Sequence, residues 1–251
     1  MFKFGLKLWS KNQNYINDAK KLFEQGVYDY IELYAEPGSY DSFINSWAAL
    51  KIPYIIHAPH WFGGMNLAKK EAEVTNSLLI KETLKWANDL DAQYIIFHGG
   101  VDGDYKETAR QLQNIKEPRS LIENKPYHSI YGPEICNGST PIEIKYIMDE
   151  AKIDFCFDVG HAICASNACG VVWREYINDF LTLSPKMFHL SDGNINDIKD
   201  EHRNIGFGSF PIREILSLIP ENSLITLETQ KASKDNLLDF EHDIRAVKNY
   251  V

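Results

Sequence analysis

Short apolar runs alternate with longer amphipathic stretches along the whole sequence. Runs rich in β-branched and aromatic residues predict eight strands, at 2–9, 28–34, 53–58, 93–98, 119–124, 153–158, 186–191 and 223–228. Apolar residues at helical spacing predict eight helices, at roughly 13–25, 40–50, 68–90, 104–114, 140–151, 171–183, 211–219 and 235–249. Thr140 followed by Pro141 and Glu143 is typical of a helix N-cap and first turn. The pattern therefore predicts strands and helices in strict alternation.

This alternation favours an α/β fold of the (β/α)8 TIM-barrel type, as a single domain over residues 1–251. Eight βα units in about 250 residues are the usual size of such a barrel. An open, doubly wound sheet is the alternative, but it normally has fewer strands and a glycine-rich turn after the first one. The first predicted strand continues into LKLWSKN without such a turn, which favours the barrel.

Side chains that can bind metals stand at the carboxyl ends of six consecutive predicted strands. They are His57, His98, Glu123, Asp158, His189 and Glu228. In a barrel these ends meet at one rim, where active sites are built. A single histidine or carboxylate at a strand end is more often structural, but several buried carboxylates need cations between them. Histidines and carboxylates without cysteine suit Zn²⁺, with Mn²⁺ or Fe²⁺ as alternatives.

Three further residues extend this candidate metal site. His161 follows Asp158 by three residues in DVGHA, and Asp200 and His202 lie in the polar segment 196–209 after the seventh strand. If that segment is extended, Asp200 and His202 point to the same side and can bind one ion. A solvated loop is the alternative, and the other six candidates favour the metal.

Composition and charge limit the partners. The chain has 251 residues, a net charge of −9 and a pI near 5.4, and a field of that sign repels nucleic acid. None of the four cysteines belongs to a C-x-x-C pair, which is typical of a reducing compartment. The first ten residues lack the apolar core of a signal peptide, and no segment is long enough to span a bilayer. We expect a soluble cytoplasmic protein without a membrane partner.

A set of motifs between about residues 53 and 230 resembles the endonuclease IV family (AP endonuclease family 2), within the xylose isomerase-like TIM-barrel superfamily. The motifs are HAPHWFGGMNLA, FHGG, LIEN, FDVGHA, FHLSDGN, DEHRNIGFG and LET, and their order and spacing are specific. The resemblance implies up to three divalent ions. It assigns the first ion to His57, His98 and Glu123, the second to Glu123, Asp158, His189 and Glu228, and the third to His161, Asp200 and His202.

The chemistry implied by this resemblance is attack of a metal-activated hydroxide on a phosphate ester. Glu123 and Glu228 are the catalytic candidates, because either can position and deprotonate the attacking water. The substrate is then a sugar phosphate or abasic-site DNA. DNA is the less favoured of the two, since the chain is acidic and is short between His98 and Glu123, where a DNA-gripping loop would lie.

The segment IELYAE looks more like the sugar isomerases of the superfamily, in which a glutamate near Glu32 contacts a sugar hydroxyl. The alternative function is therefore a metal-dependent sugar or sugar-phosphate isomerase or epimerase, with Glu123 and Glu228 as its acid/base pair. A barrel that binds metal without catalysis is a third hypothesis. The other candidate substrate contacts are Trp9, His60, Trp61 and Arg203.

Overall fold

The computed structural model describes residues 1–130 and 132–250. Within these residues eight parallel strands form a closed barrel, in which each strand pairs with the next and the last pairs with the first. The strands are β1 Lys3–Trp9, β2 Tyr30–Tyr34, β3 Tyr54–His57, β4 Ile95–His98, β5 Ser120–Glu123, β6 Asp154–Asp158, β7 Met187–Leu190 and β8 Leu224–Leu227. All eight predicted strands and the TIM-barrel fold are confirmed.

The described residues also form nine α-helices. They are α1 Ile16–Glu24, α2 Tyr40–Ala48, α3 Glu73–Asp89, α4 Tyr105–Ile115, α5 Pro141–Ala151, α6 Val159–Cys169, α7 Trp173–Leu181, α8 Ile212–Leu218 and α9 Leu238–Lys248. Each predicted helical stretch contains a helix, and Thr140 and Glu143 form the reciprocal capping box of α5. None of these helices is both long enough and apolar enough to cross a membrane.

Helix α6 was not predicted, because it lacks an amphipathic pattern. Residues 159–166 are all buried, so no polar face marks the helical period. Its N-cap is Asp158, whose side chain accepts a hydrogen bond from His161 N at 2.7 Å. Strand β6 therefore passes directly into a helix, and that turn fixes the position of Asp158.

The strand period of two residues builds the barrel interior in layers. The lower layer is a separate apolar cluster of Tyr30, Ile55, Ile96, Leu121, Cys156 and Met187. A Cβ atom on Gly5 would lie 2.4 Å from the Tyr30 ring, so glycine at this position gives the ring its space. Two residues further along each strand, the side chains facing the same interior are polar, and they form the floor of the site.

Candidate metal centre

A ring of eight polar residues, one for each strand, lies on the apolar layer. It consists of Lys7, Glu32, His57, His98, Glu123, Asp158, His189 and Glu228. The first seven lie within the strands, and Glu228 follows the last residue of β8. The sequence predicted six of them at the strand ends and placed Glu32 among the substrate contacts. The contacts among them divide the ring into smaller groups.

The first group consists of His57, His98 and Glu123, whose ligand atoms lie within 4.8 Å of one another. Glu123 Oε2 lies 3.1 Å from His57 Nε2 and 2.9 Å from His98 Nε2. The Nδ1 atom of His57 is 2.8 Å from the carbonyl of Ala58, which holds the proton on Nδ1 and directs the Nε2 lone pair to the group. Burial lowers the pKa of His98 well below its ordinary value, although Glu123 acts in the opposite direction. The neutral imidazole is the form that can bind a cation.

The second group consists of Asp158, His161, Asp200 and His202. Asp200 Oδ2 lies 3.3 Å from His161 Nε2 and 3.2 Å from His202 Nε2. The carbonyl of Asn124 lies 2.9 Å from His161 Nδ1, which again leaves Nε2 as the ligand atom. Two segments about 40 residues apart, the β6–α6 junction and the loop after β7, thus bring two carboxylates and two imidazoles to one point.

The third group lies between the other two and contains Glu123, Asp158 and His189. His189 Nδ1 is 3.6 Å from Glu123 Oε2, 3.8 Å from Asp158 Oδ2 and 3.2 Å from Glu228 Oε1. Glu32 Oε2 lies 2.9 Å from the opposite ring nitrogen, Nε2, and accepts a hydrogen bond from it. A carboxylate behind a histidine fixes the tautomer and the ring orientation of a metal ligand.

Two buried atoms support the fit of a divalent cation to this site. Within the described residues, His189 Nδ1 and Asp200 Oδ2 are buried side-chain atoms without a hydrogen-bond partner. Buried polar atoms normally have such a partner, and an unpaired one indicates a missing ion, water or ligand. Since the surrounding donors are imidazole nitrogens and carboxylate oxygens, borderline metals such as zinc suit them.

These groups follow the predicted ligand sets with two differences. Asp158 belongs both to the third group and to the group of His161, Asp200 and His202. Glu228 was expected beside Glu123 and Asp158, but it groups with Glu32 and His189. The structure brings all nine predicted ligands to one rim, and their assignment to particular ions stays a prediction.

Lys7 contributes a cation that the sequence analysis missed. Its ammonium makes ion pairs with Glu32 and Glu228. It thereby fills the space between these two carboxylates, which form a further group with His189. Burial by itself lowers the pKa of Lys7, but the carboxylates of Glu228 and Glu32 raise it above its ordinary value. The alternation of KFGLKLW indicates an inward position for residue 7, so the sequence did contain a signal for this residue.

A second missed cation, Lys125, follows the LIEN motif. Its ammonium lies 3.4 Å from Glu123 Oε1 and 3.3 Å from His161 Nε2. Although burial raises the pKa of Glu123, His98 and Lys125 lower it well below its ordinary value. Burial also raises the pKa of Glu228, but Lys7 and His189 lower it well below its ordinary value. Both catalytic candidates are therefore ionised at neutral pH.

The segment with Asp200 and His202 has a different backbone from the one predicted. His202 has a φ of 46°, so the extended conformation expected for residues 200–202 is wrong. Asp200 Oδ1 accepts a hydrogen bond from His202 N at 3.1 Å, and this local turn brings the two side chains together. Asp192, which the sequence analysis missed, closes the loop by accepting hydrogen bonds from Gly206 N and Gly208 N.

A cavity of about 540 Å³ opens over the ring. Trp9, His60 and Trp61 line it, as the sequence predicted for substrate contacts, and the Trp9 side chain is 47% exposed. Glu32 and Arg203 are not among the described residues that line it. Glu32 is fully buried beneath Lys7 and His189, and Arg203 points to Glu201 at 2.8 Å. A volume of this size suits a small molecule.

The pKa of His202 gives a testable pH dependence for the metal-free protein. Burial lowers this pKa, but Asp200 and Glu228 raise it to about 9, against 6.5 for a free imidazole. The resulting stabilisation is complete below pH 6.5 and is lost as the pH rises through about 9. The measurement is the free energy of unfolding in urea after chelation, between pH 6.5 and about 9. We expect it to fall over this range in the parent protein and to stay constant in His202→Gln. Substitution of the exposed His242 should leave it unchanged, and an unchanged pH profile for His202→Gln would contradict the prediction.

Comparison with known proteins places this barrel among relatives. Residues 20–250 match the family model described as a xylose isomerase-like TIM barrel. A probable endonuclease 4 of Mycoplasmoides gallisepticum is 25% identical over 198 residues, which cover 70% of this chain and 64% of that protein. The match thus spans a little under two thirds of this relative.

Solved structures of similar fold include an epimerase-like protein and an endonuclease. A D-tagatose 3-epimerase-like protein superposes with a TM-score of 0.77 and 20% identity, covering 99% of this chain and 97% of the other. Endonuclease IV from Thermus thermophilus superposes with a TM-score of 0.69 and 16% identity, covering 99% of this chain and 98% of the other. At these identities the likeness establishes the fold alone.

Proposed function

The chain belongs to the xylose isomerase-like TIM barrel family, and from this premise we propose that it is a metal-dependent enzyme that hydrolyses a phosphate ester of a small sugar phosphate. The observation that carries the proposal is the convergence of several His/carboxylate groups on one rim. Isomerisation needs an ion at only one of these groups, whereas phosphate hydrolysis uses several cations to neutralise charge on the phosphoryl group.

The predicted ligand sets supply the residues that would hold the ions. Glu123 belongs to the first group, with His57 and His98, and also to the third or central group, with Asp158 and His189. The second or outer group consists of His161, Asp200 and His202 with Asp158. Bound divalent ions would supply Lewis-acid stabilisation of the phosphoryl oxygens and would lower the pKa of a water molecule. Glu32 supports this arrangement from behind by orienting His189.

Glu228 is the residue best placed to handle the proton of the attacking water. It lines the cavity, and Lys7 keeps its carboxylate ionised, so the group can act as an acceptor. Its Oε2 atom lies 3.3 Å from His202 Nε2, which orients the carboxylate at the edge of the cavity. Glu123 lies deeper, between the first and central groups, and its main role is to hold cations.

A small substrate is favoured over DNA by the shape and charge of the protein. The aromatic residues Trp9, Trp61 and Tyr34 line the cavity and suit packing against a sugar ring. The net charge of −9 weakens association with a polyanion. The relatives include both an endonuclease and a sugar epimerase-like protein, and these local features support a sugar as the substrate.

A specific observation favours the second candidate, a sugar isomerase or epimerase. Glu123 and Glu228 both approach His189 Nδ1, at 3.6 Å and 3.2 Å, so they flank one point. Two carboxylates around a single bound ion suit proton removal and return at a carbon beside a carbonyl. This reaction would leave His57, His98 and His202 without a direct role.

Metal content and product analysis distinguish the two functions. We expect the zinc-loaded protein to hold roughly three ions per chain, as predicted from its ligand groups, and to release inorganic phosphate from sugar phosphates. His202→Ala should remove one ion and most of the phosphate release, because it removes a donor from the outer group. The measurements are elemental analysis of the dialysed protein and a phosphate-release assay.

His242→Ala provides the matched control, since this histidine is exposed on α9. Turnover of a ketose panel with one bound ion, retained in His202→Ala, would reject the phosphoesterase and establish the isomerase. Nicking of abasic-site DNA without release of phosphate from any sugar phosphate would instead reject the small substrate.

A further inference from the structure

Lys231 is a third lysine of the cavity, and it lies on the loop that follows β8. It lines the same 540 Å³ cavity as Lys7 and Lys125 and is partly buried. In the closed barrel β8 lies beside β1 and across from β4, the strand that carries His98. Lys231 therefore lines the cavity on the side opposite to His98.

The three lysines differ in their partners. Lys7 and Lys125 make ion pairs with carboxylates of the ring. The Lys231 ammonium donates to the carbonyl of Thr229 at 2.9 Å, and within residues 1–130 and 132–250 it makes no ion pair within 4.0 Å. Burying an ammonium with only a carbonyl partner is unfavourable, and an anion from outside would remove that cost.

The loop holds Lys231 in a defined place. Tyr15 donates a hydrogen bond to the carbonyl of Ser233, and Gln230 N donates to the carbonyl of His202 at 3.2 Å. Ala232 N donates to Asp239 Oδ2 at 2.8 Å. Contacts on both sides of Lys231 thus anchor its backbone to neighbouring elements. Burial lowers its pKa to about 8, although Asp243 and Glu228 act in the opposite direction, and a bound anion would raise it.

We propose that Lys231 is the binding site for a second anionic group of the substrate, separate from the phosphate ester that is hydrolysed. This inference rests on the proposed function, and it narrows the substrate class to small sugars that carry two anionic groups. The scissile ester lies over the ring, and the second oxyanion, a phosphate or a carboxylate, lies against the β8 loop. Asn12 lines the same side of the cavity, and its Oδ1 already accepts from Trp9 N, so its amide donor is the group that it offers to an anion.

Amine labelling tests this site without depending on turnover. The zinc-loaded protein is treated with trinitrobenzenesulfonate, and labelling of each lysine is followed by peptide mass spectrometry. Fructose 6-phosphate, fructose 1,6-bisphosphate and 6-phosphogluconate serve as probes at equal concentration. We expect the doubly anionic probes to slow labelling of Lys231 about tenfold or more and to leave the exposed Lys234 unchanged. Phosphate release in the same samples reports separately on the proposed function.

The probes also identify the chemistry of the second group. Protection by the bisphosphate alone assigns a phosphate, and protection by 6-phosphogluconate alone assigns a carboxylate. Equal protection by fructose 6-phosphate, or none by any probe, would overturn the proposal. In calorimetry Lys231→Gln should weaken binding of the protecting probe about tenfold, whereas Lys231→Arg and Lys234→Gln should retain it. A normal affinity in Lys231→Gln would also overturn the proposal.

Discussion

Replacing Glu123 with glutamine is expected to lower phosphate release on the order of 10²–10³-fold and to reduce the zinc content. Glutamine keeps the size of the side chain but removes the negative charge. That charge faces His57 and His98 through Oε2 and His161 through Oε1, so it serves more than one metal group. The measurements are elemental analysis after dialysis against zinc and steady-state phosphate release.

Glu117→Gln is the matched control for this prediction. Glu117 pairs with Arg119 just before the start of β5, at the other end of the strand from Glu123. Its replacement should leave both zinc content and turnover close to those of the parent protein. If Glu123→Gln bound as much zinc as the parent and kept its turnover, Glu123 would not be a metal ligand. The proposed metal-dependent reaction at this site would then be rejected.

The positions of the rim residues were predictable because a strand imposes a period of two residues. His57, His98, Glu123 and Asp158 each end an apolar run, and in the structure each ends its strand. Parallel pairing around a closed barrel then gathers strand ends that are distant in the sequence. No knowledge of individual contacts was needed for this step.

The features that the sequence did not predict depend on contacts between a residue and other segments of the chain. Helix α6 is buried on all sides along residues 159–166, so it gives no amphipathic signal. The left-handed backbone of His202 results from a local turn to Asp200, which the residue types alone do not specify. Glu32 was predicted to contact substrate, but its burial under Lys7 depends on how two neighbouring strands pair.

Lys7 shows how such a ring is stabilised when no metal is bound. It is 11% exposed and lies between Glu32 and Glu228, whose side chains are 0% and 12% exposed. Two carboxylates this close would otherwise repel each other in a medium that screens charge poorly. The ammonium compensates them from within the chain, so Lys7 acts as a permanent cation of the barrel floor.

Lys7→Met should therefore destabilise the chelated protein by about 3–5 kcal/mol, the usual cost of leaving a buried charge without its partner. The measurement is the free energy of unfolding in urea. Lys3→Met is the control, because Lys3 is exposed on the same strand, and it should change stability by less than about 0.5 kcal/mol. Adding Glu32→Gln to Lys7→Met should recover part of the loss, and zinc should recover more by supplying the missing positive charge. If Lys7→Met unfolds like Lys3→Met, the carboxylates do not need this cation, and His189, which contacts both of them, is sufficient to compensate their charge.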